Sequence, residues 1–369
     1  MKQQAGKLGI REYVSIVILM VGTKATESTP TTLYSHLQNA AWMIPILSGA
    51  IFSIPLFLLL KTLSVFQGKN LFDVIRQLLG KYIGFFVCLL IFIINSLAMS
   101  ADSREYTDII RSFYFKTTPN LIIYALLMFI CAYGAKKGIQ HIGSVAYLII
   151  FLVTFSFYLV LLLSTQGSNL ESIFPIWGSG KLEILKESSH GLTLFASFFI
   201  LTMVIPYITS YKDFRKGTWF SFIYIIIILS AAMFIFICLF DMTLQGMAYP
   251  FHTTIRYISF GNFLGNIETL FFPIWLLSAF IRFAAFLYIN SLMFGHLFKI
   301  KDFEFLIPSL ATIYLLIGMI PETAIDVSLG FKAPVQYMVG PTFTAICILL
   351  WLVALFKGEF KHEKNKNSM

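Results

Sequence analysis

Stretches of about 20 residues without one charged side chain recur along this chain, and that is the length a helix needs to cross a bilayer. Residues 142–163, 218–240 and 337–356 are of this kind. Their apolar character is continuous, not alternating, which excludes a transmembrane β-barrel. Charged residues make up 12% of the chain, against about 25% in soluble domains. The fold class read from these facts is an all-α polytopic membrane protein.

Ten spans are expected. The first, 13–34, is interrupted. The others are 41–60, 82–101 with a polar extension toward Phe115, 119–133, 142–163, 191–208, 218–240, 270–297, 305–320 and 337–356. The net charge of +9 would suggest nucleic acid in a soluble chain, but here the basic residues sit in short loops. Eighteen of the 27 Lys and Arg fall on the side that carries both termini, and seven on the other. By the positive-inside rule both termini are cytoplasmic and the number of spans is even. The two long connections, 164–189 and 241–268, then lie outside. Phe174-Pro175-Ile176-Trp177 and Tyr249-Pro250-Phe251 make them too apolar for loose loops, so they read as ordered caps. Residues 70–79 place Leu71, Val74, Ile75 and Leu78 on one face and read as an amphipathic helix on the cytoplasmic side. Cys88, Cys131, Cys238 and Cys347 all fall in apolar runs and read as core residues.

Ten spans divide into two fives, so the second set runs inverted relative to the first. The chain is expected to form one transmembrane domain, with repeat one about 11–163, an outer loop 164–189, repeat two about 190–357 and a cytoplasmic tail 358–369. Inverted repeats whose first helices are both broken characterise secondary transporters with a midplane binding site. The first span breaks at Gly22-Thr23-Lys24-Ala25-Thr26-Glu27-Ser28-Thr29-Pro30. The sixth has small residues mid-span, around Ser197, and Pro206 near its end.

Two readings of the first break remain. In one, the helix ends at Val21 and both charges lie in an outer loop. In the other, Lys24 and Glu27 are buried and face the bundle interior, because the apolar run before them is too short to span alone. Unwound N–H groups at such a break can hold a ligand carboxylate, and its carbonyls a ligand amine. Lys24 either binds an anionic group or stands in for a coupling cation. Gly22, Thr23, Thr26, Ser197, Phe198, Phe199 and Thr202 complete the candidate pocket, with Asn95 from the third span. Arg282 lies mid-span in the eighth helix. Either it pairs across the bundle, with Glu27 the nearest carboxylate by depth, or its head reaches the cytoplasmic surface. Asp102, Arg104, Glu105, Asp108 and Arg111 read as a solvated extension with pairs along one helix. The histidines show no metal spacing and no catalytic motif is present, so no enzyme, cofactor or metal site is expected.

The residues Tyr249-Pro250, Arg256-Tyr257-Ile258-Ser259-Phe260-Gly261-Asn262-Phe263-Leu264, Ile267-Glu268 and Trp275 resemble the B subunits of GerA-type spore germinant receptors, a branch of the amino acid–polyamine–organocation transporter superfamily. Phe174-Pro175 with Gly180, Pro206, and Gly22 with Pro30 also match that family, and the resemblance covers nearly the whole chain. It implies a LeuT-like fold of ten helices in the spore inner membrane. It further implies a small nutrient ligand, usually an amino acid, held between the first, third, sixth and eighth helices. The partners implied are an A-type membrane subunit and a C-type lipoprotein subunit. Many relatives have an apolar, glycine-rich stretch where this chain has Lys24 and Glu27, and often a glycine and a glutamate where it has Ser197 and Phe199. The competing reading is an amino acid permease or proton-coupled symporter.

Overall fold

The computed structural model describes residues 7–258 and 267–360, so the Ser259–Leu264 part of the family-like motif lies outside the described residues, as do Lys2, Lys361, Lys364 and Lys366. Every named element is helical. The first span is α1 (Ile10–Val21), a 3-10 segment (Gly22–Thr26) and α2 (Thr29–Leu37). Then come α3 (Ile44–Val65), α4 (Leu71–Leu79), α5 (Lys81–Phe113), α6 (Asn120–Lys136) and α7 (Ile139–Ser164). The second half holds α8 (Lys181–His190), α9 (Ser197–Ile200), α10 (Tyr211–Phe240) and α11 (Pro250–Tyr257), then α12 (Ile267–Phe298), α13 (Ile307–Gly318) and α14 (Ala333–Phe356). Seven helical stretches among the described residues are long and apolar enough to cross a membrane, and two shorter apolar helices accompany them. Together with α1 they are consistent with ten spans. Large side chains on the perimeter, among them Phe86, Phe129, Leu148 and Phe151, are more than half exposed. A bilayer is the solvent that suits such a surface, and the chain is a multi-pass membrane protein.

Both expected breaks are present. In the first, threonine hydroxyls turn back on the chain: Thr23 Oγ1 donates to the Leu19 carbonyl at 3.1 Å and Thr26 Oγ1 to the Thr23 carbonyl at 2.7 Å. Such local bonds offer the backbone an alternative to the α-helical ladder. Pro30 lacks an N–H and its ring would clash with the Thr26 carbonyl in a continuous helix, so a new helix starts beside it. Glu27 between them is extended, with φ −105° and ψ −159°. The sixth span is more irregular than its sequence suggests. It runs as 3-10 from Gly191 to Phe195, makes one α-turn in α9, and returns to 3-10 from Leu201 to Tyr207. Only α9, four residues long, is regular α-helix.

The amphipathic helix is α4. Asn70 Oδ1 caps it by accepting the Asp73 N–H at 2.9 Å, and Leu71, Val74, Ile75 and Leu78 are buried as expected. The long connections are ordered where described. The first supplies α8, and its Ser172 and Phe174 carbonyls accept from Asn39 Nδ2 at 2.7 and 2.8 Å. The second supplies α11, whose Arg256 pairs with Glu268 at 2.7 Å. The last span differs from expectation. It does not begin at Tyr337 but at Asp326, as a π-helical segment (Asp326–Lys332) that leads into α14.

Within α11, His252 is buried between Phe251, Tyr114 and Trp275, and its Nδ1 lies 3.1 Å from the Tyr114 hydroxyl. Burial, with Arg256 nearby, pushes its pKa down to about 3. The folded chain therefore keeps this imidazole neutral, while the unfolded chain takes up a proton below its ordinary value of about 6.5. Stability is expected to fall as pH drops from about 6.5 toward 3, by up to about 1.4 kcal/mol per unit from this group. Thermal unfolding of His252→Gln across that window should show a flatter pH dependence than the parent.

Candidate functional site

The first break is where the chain concentrates its buried charge. Glu27 is fully buried and Lys24 is 7% exposed, so the outer-loop reading of this stretch does not hold. A continuous helix would have set the two side by side. With the helix unwound they diverge. Lys24 Nζ donates to the Thr193 carbonyl at 2.8 Å, which joins the first break to the 3-10 start of the sixth span. Glu27 turns the other way, and its Oε2 lies 3.2 Å from Lys332 Nζ and 3.7 Å from Arg282 Nη2.

Arg282 does not reach the surface. It is completely buried, and its guanidinium is divided between α5 and the first break. Nη2 contacts Asp102 Oδ2 of α5 at 2.5 Å, and Nη1 donates to Thr23 Oγ1 at 2.9 Å and to the Tyr106 hydroxyl at 3.2 Å. Glu27, the partner expected by depth, is present but more distant than Asp102. The mixed-charge run of the third span is likewise a correction. Arg104, Glu105 and Asp108 are buried, and only Arg111 of that run is exposed. The spacing explains two separate roles. Arg104 and Asp108 pair along α5 at 3.2 Å, whereas Asp102 and Glu105 meet cations from other spans. Glu105 Oε1 accepts the Ser28 N–H at 3.0 Å, which places a carboxylate against the N-terminus of α2, where the helix dipole favours negative charge. Its Oε2 contacts Lys332 Nζ.

Lys332, one of the seven cations counted on the outer side, is buried like Arg104. It is 3% exposed and bridges the last span to the third and the first. Asp102 and Glu105 carried a usable signal: two carboxylates three apart, directly following an apolar run, on a helix already committed to the membrane.

Two larger cavities and a small third one border the break. One of the larger two is mostly apolar and is lined by Gly22, Thr23, Thr26, Phe157, Trp275 and Ser278 among others. Trp275 stacks on Tyr106 at 5.1 Å and donates its Nε1–H to Thr26 Oγ1 at 3.0 Å. The other carries more polar groups, among them Lys24, Thr32, Glu187, His190, Thr193 and Gln336. Glu187 Oε1 lies 3.2 Å from His36 Nδ1 and 3.4 Å from His190 Nδ1, so α2 and α8 meet at its rim. Among the described residues no carboxylate comes within 4 Å of Lys24 Nζ, whereas Arg282 and Lys332 both have one.

Seven candidates from the sequence do not line these cavities: Glu27 and Arg282, held in the buried charge cluster, and five others. Asn95 bridges helices through Asn290 at 2.8 Å. Phe198 sits edge-on to Phe222, Phe199 stacks on Phe343 at 4.7 Å, and Thr202 bonds the Phe199 carbonyl at 2.6 Å. Ser197 is buried beside them.

Comparison with known proteins agrees with this architecture. A family model described as "Spore germination protein" matches residues 9–327. Spore germination protein KB of Bacillus subtilis (strain 168) is 22% identical over 373 residues, covering 98% of both chains. Spore germination protein B2 of the same organism is 26% identical over 179 residues, 48% of each. Among solved structures, MhsT in complex with L-phenylalanine superimposes with a TM-score of 0.71 at 14% identity, covering 94% of this chain and 88% of that one. At that identity the likeness concerns the fold alone, which is the LeuT-like one.

Proposed function

The chain belongs to the spore germination protein family, and from that premise we propose that it is the nutrient-binding B-type subunit of a germinant receptor. In this reading the chain is one transmembrane domain of the spore inner membrane with both termini cytoplasmic. It works with an A-type membrane subunit and a C-type lipoprotein and catalyses no reaction. Binding shifts the equilibrium between two arrangements of the broken spans, and the partner subunits respond to that shift.

In this reading the ligand sits in the cavity beside Lys24. The observation that carries this assignment is a buried ammonium with no carboxylate within 4 Å among the described residues, facing a cavity between the two breaks. Buried charges are normally paired, because the low-dielectric interior penalises an isolated one. A ligand carboxylate supplies the missing partner, and Glu187 in the same lining offers an acceptor for a ligand amine. An amino acid has both groups.

The test uses the purified protein in detergent and a panel of amino acids, each beside its amide and its decarboxylated amine. At least one amino acid is expected to raise the melting temperature while its amide does not. A panel in which amides and acids stabilise equally would remove the carboxylate from the assignment. Amino acid uptake by growing cells that is lost on gene deletion, with the spore response intact, would favour the permease reading instead.

A further inference from the structure

Glu27, Asp102 and Glu105 each offer a carboxylate oxygen within 4.8 Å of the others, from two spans, in the interior of the bundle. Glu27 is fully buried, Glu105 is 2% exposed and the Asp102 side chain 14%. Three like charges this close repel strongly in a medium that screens poorly, and such a grouping ordinarily gathers a cation. A second observation points the same way: Glu27 Oε2 is buried and makes no hydrogen bond, and only the two neighbouring cations approach it.

The chain supplies those cations itself. Arg282 sits against the Asp102 side of the cluster, and its fork is already committed to Thr23, Tyr106 and Asp102. Lys332 sits on the Glu27–Glu105 side. Among the described residues its ammonium's polar contacts are all oxygen, with Glu105 Oε2 in contact, Glu27 Oε2 at 3.2 Å and Ser28 Oγ at 3.5 Å. A compact single charge among two carboxylates and a hydroxyl has the environment of a small monovalent ion. This lysine ends the π-helical segment of the last span, and π-turns recur at functional positions.

We propose that Lys332 is a tethered cation occupying a monovalent-cation site built by Glu27, Glu105 and Ser28. The parent protein therefore needs no dissolved cation to hold its first break, and removal of Lys332 leaves a site that takes an alkali cation. The cluster couples the first, third and last spans through a charge that cannot leave, so whatever moves these spans moves it with the last helix.

Thermal unfolding of the detergent-purified protein tests this, in sodium, lithium, potassium and choline chlorides at equal ionic strength. The parent is expected to unfold at one temperature in all four. Lys332→Ala is expected to melt lower in choline and to regain a few degrees, saturably, with sodium or lithium, and Glu105→Gln added to it should abolish that gain. A parent stabilised by sodium over choline would overturn the proposal, since the cluster then binds a dissolved ion already. A folded Lys332→Ala indifferent to all four salts would overturn it equally. If Lys332→Ala does not accumulate, Lys332→Ser, which adds an oxygen ligand, is purified in sodium and in choline. Recovery of folded protein in sodium alone supports the tethered cation, and equal recovery or equal failure in both overturns it. None of these readings depends on the nutrient, so they stand or fall separately from the ligand assignment.

Discussion

Lys24→Met is expected to shift the nutrient response of spores that carry this receptor alone to much higher nutrient concentration, while the protein still reaches the membrane in normal amount. Methionine keeps the length and apolar stem of lysine, so the cavity retains its shape and loses only the charge. Charge-assisted hydrogen bonds contribute about 1.5–3 kcal/mol, which corresponds to a nutrient concentration about 10- to 150-fold higher for the same response. Lys24→Arg should give an intermediate shift, because a planar fork replaces a point charge. Lys24 also ties the two breaks together through the Thr193 carbonyl, so the same variants need a melting curve. A ligand role moves the nutrient dose–response with little change in melting temperature. A purely architectural role lowers melting temperature and leaves the dose–response of the surviving protein in place. Unchanged nutrient sensitivity in Lys24→Met would remove the residue from the site.

Much of the architecture was legible because membrane physics leaves few options. Charge-free runs of spanning length announce α3, α7, α10 and α14, and Asn70 ahead of a one-sided apolar pattern announces α4. The first break was legible for the same reason: Gly22, the threonines and Pro30 are local, and local chemistry is written in sequence. What stayed hidden was long-range. Nothing near Lys332 in the chain says that it meets Glu105 at a separation of 227 residues. The same holds for Arg282 and Asp102, 180 apart, where depth alone pointed to Glu27. The third-span run misled because its i, i+4 pair, Arg104 and Asp108, is real and resembles the pattern of a solvated helix. Its neighbours Asp102 and Glu105 use the same helix for a different purpose. The sixth span hid its irregularity too, since its residues are ordinary membrane-helix residues. Contacts such as Gly340, where an added Cβ would lie 3.0 Å from the Thr193 backbone nitrogen, press the last span against it.

Arg282→Leu is expected to have the largest effect on stability. Its side chain is the junction of α12 with the first break and with α5, and no water reaches it. Leucine fills part of the volume but leaves Asp102 without its ion-pair partner, and Glu27 and Glu105 with Lys332 alone. Removing one partner of a buried pair costs about 3–5 kcal/mol, mostly through the charge left behind. That is enough to empty the folded population of a marginally stable domain. Little folded protein should be recovered from membranes, and what is recovered should melt well below the parent. Adding Asp102→Asn removes the stranded charge and should restore part of the loss, a coupling that separates electrostatics from packing. Arg282→Lys should fall between the two, because it keeps the charge but cannot reach Asp102, Thr23 and Tyr106 at once. An Arg282→Leu protein that melts with the parent would mean that the junction contributes nothing to the fold. If Asp102→Asn deepens the defect instead of relieving it, the carboxylate has a second role that the guanidinium does not exhaust.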